Sequence, residues 1–126
     1  MKKLLFVDDS PAVRTLVKLF LSSEAYQVTE AEGMERALKL ARIQVPDVVL
    51  ADYQMPGGSG LDLFTALRKE GMKEVALVLL TAVVDPELSS KAAAAGADEF
   101  VIKPVNPVDL RQALARALKK AELRSR

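Results

Sequence analysis

The chain of 126 residues has no cysteine and no histidine. Without cysteine there is no disulfide framework and no thiol chemistry. Without histidine there is no imidazole base or ligand, so transition-metal sites of the usual kind are excluded. Carboxylates, hydroxyls and lysine remain for chemistry. An excess of one charge sign is also lacking: 18 Lys+Arg against 17 Asp+Glu leave a net charge of +1, which offers no electrostatic footprint for nucleic acid. Long apolar runs are missing too. Lys2-Lys3 precede only Leu4 to Val7 before Asp8-Asp9 interrupt, too short a stretch for a signal peptide or membrane span. The expected location is the cytoplasm. No internal repeat, low-complexity stretch or interdomain linker breaks the chain. Half of its residues are hydrophobic and 28% charged, which fits one globular domain able to bury roughly two-thirds of its unfolded surface. A second domain has no room.

The most informative stretch runs from Val48 to Gly57. Val48 to Ala51 form an unbroken, β-rich apolar run too short for a free-standing helix, and Pro56-Gly57-Gly58 break the chain soon after. A strand buried on both faces is predicted, with Asp52 at its carboxyl end. In open α/β sheets that edge is where ligands bind, because its loops carry polar groups above a dry sheet.

In order along the chain, short β-type runs alternate with segments of helical period. Leu4 to Val7 is the first run, ended by Asp8-Asp9, and Ser10-Pro11 signals a helix start. Val13, Leu16, Val17, Phe20 and Leu21 share one helical face, with Arg14 and Lys18 on the other, and this helix is expected to end near Glu24. Tyr26 to Ala31 alternates as a modest strand, followed by the helical stripe Met34, Ala37, Leu38 and Ala41. After the central strand, Gly57-Gly58-Ser59-Gly60 reads as a flexible turn before a helix facing Leu61, Phe64 and Leu67 inward. Gly71 stops it. Val75 to Leu80 is the fourth buried run, ending on Thr81, and Asp85-Pro86 repeats the start signal before Leu88, Ala92 and Ala95. Phe100 to Ile102 form the fifth strand, ended by Lys103-Pro104. Asn106-Pro107 start the last helix, with the stripe Leu110, Ala113, Leu114, Ala117 and Leu118. The charged segment after it reads as a solvated helix end.

Five βα pairs in tandem predict an α/β fold: a doubly wound parallel sheet with right-handed crossovers and helices on both faces. All strands then start at one edge, so Asp8, Asp9, Asp52, Thr81 and Lys103 converge at the other. Each has an ordinary explanation taken singly: Asp9 as a helix cap, Thr81 as a strand-end hydroxyl, Lys103 as a solvated charge. Together they place three acids, one hydroxyl and one ammonium around a single pocket. Three close carboxylates repel, raising the pKa of at least one unless a cation joins them. Mg²⁺ suits such a site, taking oxygen ligands and leaving positions for water or phosphate. Phosphoryl transfer needs an in-line nucleophile and charge stabilisation, which a metal, a lysine and a hydroxyl supply. Asp52 is the plausible nucleophile, since carboxylates form aspartyl phosphates.

At these residues the sequence resembles the receiver domain of bacterial two-component response regulators, close to a single-domain chemotaxis regulator. The resemblance rests on VDDS after strand one, DYQMPG at strand three, LTA after strand four and GADEFVIKP at strand five. It implies a flavodoxin-like (βα)5 sheet of strand order 2-1-3-4-5, with residues 1–121 as the receiver domain and 122–126 as a charged tail. It further implies that Asp52 accepts a phosphoryl group from a phosphohistidine on a sensor histidine kinase or histidine phosphotransfer protein. Asp9 and Asp52 would bind Mg²⁺ directly and Asp8 largely through water, with the backbone carbonyl of Gln54 completing the protein ligands. Thr81 and Lys103 would hold phosphoryl oxygens, and Ala82 would leave the donor access. The Lys103-Pro104 bond is often cis in the family. Thr81 and Phe100 would form the switch, changing the face of the fourth helix, fifth strand and fifth helix for a downstream protein. The resemblance implies no membrane association, no direct contact with nucleic acid, and catalysis only of the domain's own phosphorylation and dephosphorylation.

Several positions depart from the family pattern. Gly58-Ser59 stand where Met-Asp is frequent, which should loosen the loop under the site. Val105 replaces a frequent Phe, and Ala113 stands where the winged-helix subclass carries an arginine for a charged dimer face. Phe100 occupies the place of a switch aromatic that is often Tyr. With no hydroxyl to keep in water, Phe100 is expected to lie inward to an appreciable extent even without phosphate. The chain looks like a stand-alone receiver or one cut from something longer. Three other readings compete: a haloacid-dehalogenase-like phosphatase with Asp8 as nucleophile, an FMN carrier of the same topology, and an inactive receiver used only for docking. The first would want a second acid where Ser10 stands, the second a hydroxyl-rich phosphate loop where Asp8-Asp9 stand. The third conflicts with a full set of acids, Thr81 and Lys103.

Overall fold

Each of the five apolar runs becomes a strand of one parallel sheet in the computed structural model, which describes residues 1–82 and 85–125. The strands are β1 (Lys2–Val7), β2 (Tyr26–Ala31), β3 (Val48–Asp52), β4 (Ala76–Thr81) and β5 (Glu99–Ile102). Their order across the sheet is β2-β1-β3-β4-β5, and every neighbouring pair is parallel. This is the expected order 2-1-3-4-5. Between them run α1 (Pro11–Phe20), α2 (Met34–Ile43), α3 (Gly60–Lys69), α4 (Pro86–Ala94) and α5 (Pro107–Arg124).

Successive strand residues point to opposite faces, so the sheet feeds two cores. Leu4, Phe6, Val48, Leu50, Val78 and Leu80 pack with Val17 and Leu21 on one side and with Leu110, Ala113, Leu114 and Ala117 of α5. Leu5, Val7, Val49, Ala51, Leu77 and Leu79 face the other way, against α2, α3 and the two buried residues Leu88 and Ala92 of α4. Burial on both faces explains why β3 and β4 read as unbroken apolar runs. Each cap-plus-proline signal marks a real helix start. Ser10 accepts from Val13 N, Asp85 from Leu88 N, and Asn106 from Val108 N and Asp109 N.

Four local features differ from expectation. Helix α1 stops at Phe20, before Glu24, because Leu21 leaves helical geometry at φ −98° and ψ 1°. Leu16, expected inward, is exposed, since Val17 and Leu21, flanked by the partly buried Val13 and Phe20, fill the strip of α1 that meets the sheet. The end of α5 is more than a solvated charge run: Arg124 Nε donates to the Lys73 carbonyl at 2.7 Å, and its Nη2 donates to Val75 O and to Asp98 Oδ2, each at 3.2 Å. The fourth is the loop after β3. Gln54–Met55 pair antiparallel with Gly58–Ser59, and Ser59 forms a capping box with Asp62 at the start of α3. Glycine and serine therefore shape and brace this loop, where a looser one was expected.

Gly60 seats the first turn of α3 directly against β3. A β-carbon there would lie 2.6 Å from the Asp52 carbonyl oxygen and 2.8 Å from Leu79 Cδ1. The leucine can turn aside, but the Asp52 backbone cannot. Gly60→Ala is expected to lower the unfolding free energy by about 1–3 kcal/mol, the usual cost of overpacking. A urea midpoint equal to the parent's would show that α3 shifts freely.

Candidate functional site

Parallel registration brings the strand ends to one level. Val7 is opposite Ala51, Asp52 opposite Leu80, and Thr81 opposite Ile102. Asp8, Asp52 and Thr81 are the buried polar or charged residues among those described. Asp9 stands beside Asp8 but is exposed, and one carboxylate oxygen from each of Asp8, Asp9 and Asp52 lies within 4.8 Å of the others. The convergence expected from sequence is thus present. An open cleft above it is lined by Asp9, Asp52, Gln54, Thr81, Ala82 and Lys103.

Lys103 is the cation of this cluster. Its Nζ lies 3.0 Å from Asp52 Oδ2 and 3.9 Å from Asp8 Oδ2. The other oxygen of Asp52 accepts from Gln54 N at 3.4 Å, and Asp8 Oδ1 accepts from Ser10 N at 2.8 Å. Asp8 Oδ2 is buried with no hydrogen-bond partner. Burial pushes the Asp8 carboxyl above its ordinary range, and repulsion from Asp52 and Asp9 adds to this, against the opposing pull of the Ser10 N–H and Lys103. Three carboxylates facing one ammonium leave two negative charges uncompensated. A divalent, oxygen-seeking cation fits this donor set, because it answers both the excess charge and the orphaned oxygen of Asp8.

The Lys103–Pro104 peptide is cis. Phe100 differs from expectation: it is 44% exposed, not inward. Its ring stands at the rim of a small cleft beside Thr81, whose other walls include Leu79, Leu88 and Ala92. Sequence reasoning also missed Arg14, assigned to the outer side of α1. Its Nη1 donates to the Asp8 carbonyl at 2.6 Å. Helical period assigns a Cβ direction, and a long guanidinium stem can reach back around it.

The raised pKa of Asp8 has a definite sign. A carboxyl that holds its proton more tightly when folded destabilises the protein at neutral pH, and this penalty shrinks as pH falls through the raised value toward the ordinary 3.8. Asp8→Asn keeps an oxygen for Ser10 N and removes the charge. In metal-free protein it is expected to melt higher than the parent at neutral pH, with the gap closing as the solution is acidified toward about pH 4. Parallel melting curves across that range would refute the charge argument.

Comparison with known proteins gives the same outline. The profile described as "Response regulator receiver domain" matches residues 4–115. The phosphate regulon transcriptional regulatory protein PhoB of Klebsiella pneumoniae is 33% identical over 110 residues, covering 86% of this chain and 48% of that protein. The two-component response regulator ORR6 of Oryza sativa subsp. japonica is 34% identical over 116 residues, covering 89% of this chain and 68% of that protein. The chain spans about half the length of the PhoB relatives it matches. Among solved structures, the chemotaxis protein CheY4 of Vibrio cholerae superposes with a TM-score of 0.87 at 33% identity, covering 93% of this chain and 98% of that one.

Proposed function

We propose, since the chain belongs to the response regulator receiver family of two-component signalling, that Asp52 accepts a phosphoryl group from a partner phosphohistidine and that this changes a surface read by a downstream protein. The observation that carries the proposal is the buried acid cluster with one orphaned oxygen, at the sheet edge, facing an open cleft. In the transfer, a carboxylate oxygen of Asp52 forms a bond to phosphorus as the P–N bond to the donor imidazole breaks, and the nitrogen leaves with the electron pair. Asp52 is better placed for this than Asp8. Its side chain is 11% exposed and lines the cleft, while that of Asp8 is 1% exposed.

Asp9 and Asp52 would hold Mg²⁺ directly, with the Gln54 carbonyl as a further ligand and Asp8 acting mainly through water. Bound Mg²⁺ would supply neutralisation of the charge on the phosphoryl oxygens. Lys103, now paired with Asp52, is within reach to transfer its ammonium to a phosphoryl oxygen, and Thr81 offers a hydroxyl at the end of β4. The small side chain of Ala82, exposed at the rim, leaves the donor room to approach. The partners are a sensor histidine kinase or phosphotransfer protein and a protein target of the α4–β5–α5 face. The domain acts as a phospho-switch, catalysing only its own phosphorylation and dephosphorylation. No helix among the described residues is long and apolar enough to cross a membrane, and the cytoplasm is the proposed setting.

Intact mass after incubation with a small acyl phosphate and Mg²⁺ tests the proposal. One added phosphoryl group is expected, absent without Mg²⁺ and absent in Asp52→Asn. A phosphoryl group retained in Asp52→Asn, or mapped to Asp8, would overturn the assignment. Lys103→Ala should keep Mg²⁺ binding while losing the response of the α4–β5–α5 face to phosphorylation, followed by methyl and aromatic NMR. Loss of the metal instead would move Lys103 out of its proposed role.

A further inference from the structure

Arg14 has a contact that the phosphoryl-transfer chemistry does not use. Its side chain is 20% exposed, and its guanidinium lies across the end of β1. Nη1 donates to the Asp8 carbonyl oxygen at 2.6 Å, and Nε donates to Glu30 Oε1 on β2 at 3.2 Å. Lys18 Nζ holds the other oxygen of Glu30 at 3.0 Å. Glu30 is therefore a fixed post, and Arg14 is the strut from it to the Asp8 carbonyl.

That carbonyl belongs to the peptide whose nitrogen is Asp9's own. A peptide group is planar and turns as a unit, so holding its oxygen sets the direction in which Asp9 leaves the strand. The neighbouring acid has its own restraint, since Asp8 Oδ1 accepts from Ser10 N. The Asp9 carboxylate makes no hydrogen bond or ion pair among the described residues, yet it lies within reach of Asp8 and Asp52. Its aim rests on the backbone. We infer that Arg14 is a positioning residue, which directs the Asp9 carboxylate into the acid cluster by fixing the Asp8–Asp9 peptide from the far side of β1. The inference rests on the reading of that cluster as the Mg²⁺ site.

A plainer role would be to tie α1 to β2 through Glu30. Lys18 makes the same tie without touching Asp8, which gives the control. Parent, Arg14→Met, Arg14→Lys and Lys18→Met proteins are titrated with Mg²⁺ by calorimetry, and the Asp9 and Ser10 amide resonances are recorded without metal. Arg14→Met is expected to weaken Mg²⁺ binding about tenfold, the lower end of what loss of a ligand-orienting contact produces. Arg14→Lys should weaken it less, and Lys18→Met should match the parent. Without metal, the Asp9 amide should shift in Arg14→Met and hold in Lys18→Met. Parental Mg²⁺ affinity in both Arg14 variants overturns the inference, as does an equal loss in Lys18→Met. The lysine variant, which keeps the stem and a donor, serves if the methionine variant fails to fold. A parent that binds no Mg²⁺ refutes the metal reading itself, and the metal-free Asp9 amide then decides the role of Arg14: an unmoved resonance refutes it.

Discussion

Two buried carboxylates share one ammonium at the edge of the sheet, and the rest of the fold is arranged so that they cannot separate. Asp8 and Asp52 stand at the ends of adjacent strands, and Lys103 approaches both from the end of β5, two strands from β3 and three from β1. Burying such charges costs several kcal/mol per ion unless geometry and hydrogen bonds compensate. On mobile loops the acids would move apart into water. Here they leave strands locked by parallel ladders and by apolar side chains on both faces, so the repulsion stays in place as a standing demand for positive charge. Function on this reading draws on stability withheld locally: among the described residues, the buried side-chain oxygen left without a hydrogen bond belongs to Asp8 in this site.

The loops that carry the acids are braced from outside the cluster. After β3, the capping box of Ser59 and Asp62 and the close seating of Gly60 hold the chain that begins at Asp52. After β1, the Ser10 amide and the Arg14 guanidinium do the same for Asp8 and the peptide leading to Asp9. None of these bracing groups adds a carboxylate oxygen to the cluster or blocks the cleft. Ligand atoms and supporting atoms are thus separate sets, which leaves the acids free to change partners without releasing the backbone.

Much of this was legible in the sequence because of how parallel sheets bury their strands. An apolar run without alternation, such as Val48 to Ala51, has no solvent face, and the first polar residue after it marks the sheet edge. The same pattern brings Asp8, Asp9, Asp52, Thr81 and Lys103 to one edge. What escaped were matters of side-chain reach and local geometry. Period assigned Arg14 and Leu16 to faces by Cβ direction alone; the first reaches back to the strand end, and the second lies just outside the narrow contact strip. The glycines after Met55 suggested looseness, because composition does not reveal that Gly58 approaches Met34 Sδ or that Ser59 caps α3. Arg124 belongs with these, since nothing in a terminal charge run points to Asp98, 26 residues away.

Phe100 is the most instructive of the differences, because the argument from the missing hydroxyl was sound as far as it went. An aromatic without a polar tip does lose by facing water, by some fraction of the ~1.5–3 kcal/mol that full burial is worth. The ring nevertheless stands outward, at the rim of the cleft beside Thr81, so the missing hydroxyl alone does not decide its position. In a receiver with Tyr at this position, hydration of the hydroxyl helps hold the outward state. Here no hydroxyl contributes, and the cleft that the ring faces is walled in part by Leu88 and Ala92, the two buried residues of α4. A helix anchored by so little apolar area shifts at small cost. In the proposed switch a hydrogen bond from Thr81 to a charged phosphoryl oxygen, worth about 1.5–3 kcal/mol, exceeds the fraction of burial the ring still lacks. In that proposed switch the balance between outward and inward Phe100 would be set by the seating of α4, and its threshold would lie in that helix more than in the aromatic itself.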